Sequence, residues 1–167
     1  MVLVTYATTH GSTREVAQAV ATELRAKNLQ VEVANCKNVR DLDSCDAVVL
    51  GAPLYMFRLH GHARRFLARN QNALQRLPVA LFALGPFHDV EKEWAEARGQ
   101  LEKELAKYPW FKPVIVELFG GKFDPSNMRM PYKLLPALKQ LGEGDIRDWD
   151  AIRTWAGGLP AVLKARQ

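Results

Sequence analysis

The opening two dozen residues restrict the fold of this chain more than any other part of it. Val2, Leu3, Val4, Thr5 and Tyr6 form an apolar run rich in β-branched residues, the texture of a buried strand. The run ends at Thr8-Thr9-His10-Gly11-Ser12-Thr13, a short stretch of hydroxyls around one glycine. Behind it Val16, Ala17, Val20, Ala21 and Leu24 recur at helical spacing, so the order is strand, tight loop, helix. A helix starting there aims unsatisfied N–H groups and its positive dipole end into the loop. The hydroxyls of Thr8, Thr9, Ser12 and Thr13 add donors, and Gly11 permits close backbone approach. Two readings follow: an ordinary turn with a helix N-cap, or a phosphate site.

Several phosphate loops are excluded by what they require. A nucleotide-triphosphatase loop needs a Lys beside its final hydroxyl residue, but Arg14 follows Thr13 and there is no second upstream glycine. A dinucleotide fingerprint needs three glycines at set spacing, and this loop has one. A phosphoryl-accepting receiver needs carboxylates at the end of its first strand, which here has none.

Further along, residues 30–36 alternate as a second strand, and 47–52 form a continuous apolar run suited to a central parallel strand, ended by Gly51-Ala52-Pro53. Residues 79–84 repeat that texture and end at Gly85-Pro86, and 113–119 form a fifth strand before Gly120-Gly121. Helical spacing covers 62–70, with Ala63, Phe66 and Leu67 inward. It also covers 90–108, with Val90, Trp94, Ala97, Leu101, Leu105 and Tyr108 inward and Asp89 as N-cap. A last helix is capped near Asp148 and carries Trp149, Ile152, Ala156 and Leu163, with Gly157, Gly158 and Pro160 arguing against its far half. Residues 122–147 are an insertion before that helix, with a helix expected over 132–141. Strands alternating with helices imply one α/β domain over 1–167, a parallel sheet with right-handed crossovers. At 167 residues, 48% of them hydrophobic, the chain suits a well-buried core. Neither a membrane-spanning run nor a signal peptide is read. Cys36 and Cys45 lack CxxC spacing and read as inert thiols in a reducing, cytoplasmic setting.

The opening loop resembles the phosphate loop of flavodoxins, a Thr/Ser-x-Thr-Gly-x-Thr run that holds the phosphate of FMN. Thr8, Gly11 and Thr13 match it, Thr9 and Ser12 fill its free places, and His10 stands where the middle Thr would be. The resemblance implies a flavodoxin-like three-layer sandwich, a five-stranded parallel sheet of order 2-1-3-4-5 with helices on both faces and a crevice at the strand carboxyl ends. Two more loops then face the same crevice: Pro53-Leu54-Tyr55-Met56-Phe57 after the third strand and Gly85-Pro86-Phe87-His88 after the fourth. A flavin ring needs aromatic or thioether contacts on its faces and backbone groups at its edges. Tyr55, Met56, Phe57 and Phe87 suit the faces, although each of them singly also reads as a core cover. His10 reads either as an exposed turn residue or as a phosphate donor.

The Thr8/Gly11/Thr13-Arg14-Glu15 loop, the Val48-Val49-Leu50-Gly51-Ala52 strand, the basic helix after it and the insertion ending at Asp148-Trp149 are similar to the branch containing the menaquinone-dependent protoporphyrinogen oxidases. That resemblance implies FMN, removal of hydrogens from protoporphyrinogen and electron delivery to a quinone at the membrane. His10 and the Pro136 that breaks the insertion depart from the pattern. The formal charge of +5 and pI near 9.4 also depart from acidic electron carriers. They point to an acidic partner, an anionic or quinone-type substrate, or an anionic membrane surface contacted peripherally, rather than nucleic acid. Arg58, His60, His62, Arg64 and Arg65 read as an electropositive rim or a solvated helix face, and Arg69 as solvated. Lys122, Arg129, Lys133 and Lys139 add charge on the insertion. No side chain is assigned as an acid, base or metal ligand. The readings left open are an FMN oxidoreductase, a non-catalytic electron carrier and an FMN-free interaction module.

Overall fold

The computed structural model describes residues 1–55, 57–123 and 144–164. In chain order the elements are β1 (Val2–Tyr6), α1 (Ser12–Ala26), β2 (Val31–Asn35), β3 (Ala47–Tyr55), β4 (Arg58–Leu59), α2 (Gly61–Arg69), α3 (Gln71–Leu74), β5 (Val79–Leu84), α4 (Glu91–Leu105), β6 (Ile115–Phe119), β7 (Lys122–Phe123), β8 (Gly144–Asp145) and α5 (Trp149–Lys164). The principal strands lie in the order β2-β1-β3-β5-β6, all parallel neighbours, with β4 added beside β3. Counting principal strands alone, that is the order expected from the sequence, with β4 as an addition to it.

The pleat sends alternate residues to opposite layers. Leu3, Val48, Leu50 and Leu81 face α2 and α4, where Ala63, Phe66, Leu67, Ala97 and Leu101 meet them. Val2, Val4, Val49, Ala80 and Phe82 face α1 and α5, against Val16, Val20, Leu24, Ile152 and Leu159. Phe66 and Phe82 are fully buried, each worth about 1.5–3 kcal/mol of apolar transfer. The Phe82 ring lies over Gly51, where an added Cβ would come within 2.1 Å of it.

Three local expectations are corrected. First, β3 does not stop at Ala52 but runs through Pro53 and Leu54 to Tyr55. β1 ends opposite Gly51, where Ala7 N–H donates to the Gly51 carbonyl at 2.9 Å. Two residues on, Pro53 faces the same side, so its missing N–H falls where β1 has already ended. β4 folds back antiparallel into that space, pairing Leu54 with Leu59 and Tyr55 with Arg58. Second, Asp89 does not cap α4: Val90 occupies that place and is exposed, while Asp89 accepts the Trp94 indole N–H at 2.9 Å. Third, α5 is continuous through Gly157, Gly158 and Pro160. Burial of Ile152, Ala156, Leu159 and Leu163 in the layer shared with α1 outweighs the local penalties. Asp148 does cap α5, accepting from the N–H groups of Asp150 and Ala151 at 3.0 and 2.9 Å. Arg69 is exposed, as the sequence reading has it, and its guanidinium in addition donates to the carbonyls of Cys36 and Val39 and pins the loop after β2.

The base of the insertion is closed by β7 pairing antiparallel with β8. The helix expected over 132–141, with Arg129, Lys133 and Lys139, lies outside the described residues, as does Met56. Cys36 is buried and Cys45 half-buried, both as free thiols. Burial pushes the Cys36 thiol up to about 11, which keeps it protonated and unreactive.

Candidate functional site

The carboxyl ends of β1, β3 and β5 bring the three anticipated loops to one end of the sheet. In the first, Gly11 holds φ at +94° and serves as the N-cap of α1 with no side chain capping it. A Cβ at Gly11 would meet nothing within 4 Å, so the requirement for glycine there is conformational rather than steric. The first helical hydrogen bond runs from Glu15 N–H to the Gly11 carbonyl at 3.1 Å, and the amides of Ser12, Thr13 and Arg14 precede it. Thr8 is half-buried and its Oγ1 accepts the Gly11 N–H at 2.8 Å, which shapes the turn. Ser12 is half-buried; Thr9 and His10 are exposed. Thr13 is fully buried, and its Oγ1 has no hydrogen-bond partner among the described residues.

The second loop is in fact a hairpin. Pro53 and Leu54 are buried strand residues, so only their backbones can offer edge contacts, and Tyr55 and Phe57 carry the exposed aromatic surface, 38% and 69% accessible. Phe57 sits at φ +70°, a conformation a bulky residue seldom adopts. The hairpin also delivers His60 to the first loop. His60 caps α2 by accepting the His62 N–H on Nδ1 at 3.1 Å, so Nε2 carries the proton and donates to Thr9 Oγ1 at 3.0 Å. Burial, reinforced by His62, Arg64 and Arg65, holds the His60 imidazole below its ordinary value and favours that neutral tautomer. Burial raises the Tyr55 phenol, with a hydrogen bond from Thr9 opposing it. Thr9 thus joins the first loop to the second through both partners.

The third loop is braced from the insertion side. Gly85 and Pro86 are buried, and Phe87 is half-buried with its ring 5.3 Å from that of Phe123 on β7. Gly121 N–H donates to the Pro86 carbonyl at 2.8 Å. His88 is exposed and turned toward Glu93, Nδ1 lying 2.9 Å from its carboxylate. Of the basic residues after β3, Arg58 and Arg65 are exposed, and Arg64 donates to the Leu59 carbonyl.

Two long-range contacts of these loops are not legible in the sequence. In the sequence His60 reads only as part of a charged rim or solvated helix face, because nothing local reveals that β4 fills the place β1 leaves and brings it to Thr9. Arg147, from the end of the insertion, reaches the first turn of α1 and pairs with Glu15 at 2.7 Å. The two are 132 residues apart, and no spacing signal links them.

The sequence profile of the flavodoxin domain matches residues 3–135. The chain belongs to the flavodoxin-domain family. It is 25% identical over 166 residues to the protoporphyrinogen IX dehydrogenase [quinone] of Escherichia coli strain K12, covering 92% of this chain and 91% of that protein. Among solved structures, a flavodoxin from the domain Archaea superposes with TM-score 0.60 at 15% identity, covering 98% of each chain. The two-electron reduced flavodoxin of Megasphaera elsdenii gives 0.53 at 18% identity, covering 92% of this chain and 99% of its own. At such identities the likeness is one of fold.

As a member of this family the chain is a flavodoxin-like redox flavoprotein whose cofactor is FMN. The residues present suit the phosphate of such a group: three leading helix amides, a left-handed glycine and a buried hydroxyl without a partner among the described residues belong to one turn. An orphaned buried hydroxyl is costly unless something completes its hydrogen bonding.

Proposed function

We propose that this protein is an FMN-dependent oxidoreductase that withdraws electrons from an anionic organic substrate with an apolar body and delivers them to a quinone-type acceptor. In this reading Thr8, Thr9, His10, Gly11, Ser12 and Thr13 surround the phosphate. Pro53, Leu54, Tyr55 and Phe57 with Gly85, Pro86, Phe87 and His88 surround the ring. Bound FMN would supply the hydride-accepting and electron-releasing chemistry. The chain supplies the rest: α1 binds the phosphate, Thr9 holds two loops in register, and the hairpin presents aromatic surface to an incoming substrate.

The observation that carries the proposal is the β3–β4 hairpin. Tyr55 and Phe57 are exposed there beside the exposed Arg58, with Arg65 on the following helix. An apolar face rimmed by guanidiniums suits a molecule with a broad apolar body bearing carboxylates. The protoporphyrinogen dehydrogenase relative, aligned along 92% of the chain, is a precedent for such a substrate and for a quinone. Since quinones partition into bilayers, such an enzyme would work from the membrane face. Among the described residues no helix is long and apolar enough to cross a membrane.

The test is anaerobic turnover of the FMN-loaded protein with protoporphyrinogen IX and a soluble menaquinone analogue, with reduced nicotinamide as the competing donor. Quinone-dependent oxidation of protoporphyrinogen is the expected result. A yellow, fully loaded protein that turns over neither donor would overturn the proposal and leave an electron carrier.

A further inference from the structure

We infer that Arg147 is a positioning residue for the cofactor phosphate, acting through Glu15, and that it couples the base of the insertion to FMN affinity. The inference rests on the assignment of the Thr8–Thr13 turn to the phosphate.

Glu15 stands in the first turn of α1, on the helix whose leading amides face that turn. A carboxylate there is favoured by the helix dipole, but it occupies the field that a phosphate dianion must use. Arg147 addresses that conflict. Its side chain is only 3% exposed, and four groups hold it. Nε and Nη2 donate to the two carboxylate oxygens of Asp145 at 2.8 and 2.6 Å, a bidentate pair. Nη1 donates to Glu15 Oε2 at 2.7 Å and to the Ser12 carbonyl at 3.3 Å. The guanidinium lies 4.7 Å from the centroid of the Trp149 ring.

Because Asp145 belongs to β8 and is paired with Lys122 of β7, the guanidinium is fixed to the base of the insertion. Because Ser12 and Glu15 belong to α1, the same group orients the turn that offers its amides to the phosphate. The trio of Asp145, Arg147 and Glu15 carries one net negative charge. Without the guanidinium it would carry two, and Glu15 would face the phosphate unneutralised. Among the described residues Arg147 is the ion-pair partner of Glu15.

The proposal is tested by titrating flavin-free full-length protein with FMN and, separately, with riboflavin, which lacks the phosphate. Arg147→Met keeps an unbranched apolar stem at the position but removes the charge, its donors and the guanidinium over Trp149. It should weaken FMN binding about fivefold to tenfold and leave riboflavin binding within about twofold. Adding Glu15→Gln to Arg147→Met should restore most of the FMN affinity, while Glu15→Gln alone should change it less than about twofold. Equal loss of FMN and riboflavin affinity, or no rescue in the double variant, would overturn the inference. If Arg147→Met fails to fold by circular dichroism, Arg147→Lys with and without Glu15→Gln makes the same comparison, with a smaller FMN-specific loss expected in the single variant. Failure of the wild-type protein to prefer FMN over riboflavin would instead refute the phosphate assignment itself.

Discussion

Replacing Thr13 by Val exchanges a hydroxyl for a methyl of nearly the same shape at a fully buried position. Both residues are β-branched with similar helix propensity, so the backbone term nearly cancels. What changes is the Oγ1 atom, which has no hydrogen-bond partner among the described residues. A buried hydroxyl in that condition costs about 1–3 kcal/mol. Its removal should therefore stabilise the flavin-free protein by about 1 kcal/mol, or about 2–4 °C in Tm for a domain of this size. The same change deletes a hydrogen bond to a charged phosphate, worth about 1.5–3 kcal/mol, so the Kd for FMN should rise about tenfold to a hundredfold. Calorimetry of the flavin-free protein and quenching of FMN fluorescence measure the two effects, with Thr13→Ser and riboflavin as controls. Opposite signs for stability and affinity are the signature. A lower Tm in Thr13→Val, or an FMN Kd within twofold of wild type, would show that this hydroxyl does not serve the phosphate.

Three further outcomes are expected. Phe57→Asn places a residue that tolerates the left-handed region at φ +70°. Thermal melting should show a gain of about 1 kcal/mol, while KM for the substrate rises with loss of the exposed ring. For His60, burial and neighbouring positive charge hold the folded-state value below 6.5, so the unfolded chain takes up the proton first. Its contribution is complete above about pH 6.5 and is lost as pH falls through the folded value. Wild-type Tm should therefore drop more steeply between pH 6.5 and 5 than that of His60→Asn, which can cap α2 but cannot titrate; parallel slopes would contradict this. Gly51→Ala drives a Cβ to 2.1 Å from the Phe82 ring in the sheet centre. It should cost about 3 kcal/mol in urea unfolding, and Phe82→Leu in the same chain should recover part of the loss.

The elements legible in the sequence are those whose cause is local. The run Val2–Tyr6 and the stripe Val16, Ala17, Val20, Ala21 and Leu24 determine a strand, a tight turn and a helix, because period and hydroxyl content act over a few residues. The apolar runs in β3 and β5 likewise announced central parallel strands, and Asp148 announced the start of α5. Where local and tertiary preferences conflict, tertiary structure decided. Pro53 and Pro160 both read as stops, yet β3 continues because its neighbour on that side has ended, and α5 continues because its buried stripe offsets the lost hydrogen bond.

The site divides in the same way. Thr8, Gly11 and Thr13 share one contiguous turn at the start of a helix, a local object that the sequence makes legible. His60 on Thr9, Arg69 on the loop after β2, Phe123 against Phe87 and Arg147 on Glu15 are not legible there. Each is a pairing of distant residues, formed only once the sheet order determines which strand edge is unoccupied and which loop ends there. The sequence alone determined a glycine-centred turn of hydroxyls at a helix start; the tertiary structure decided which charges surround it, because those charges come from segments that meet only after folding.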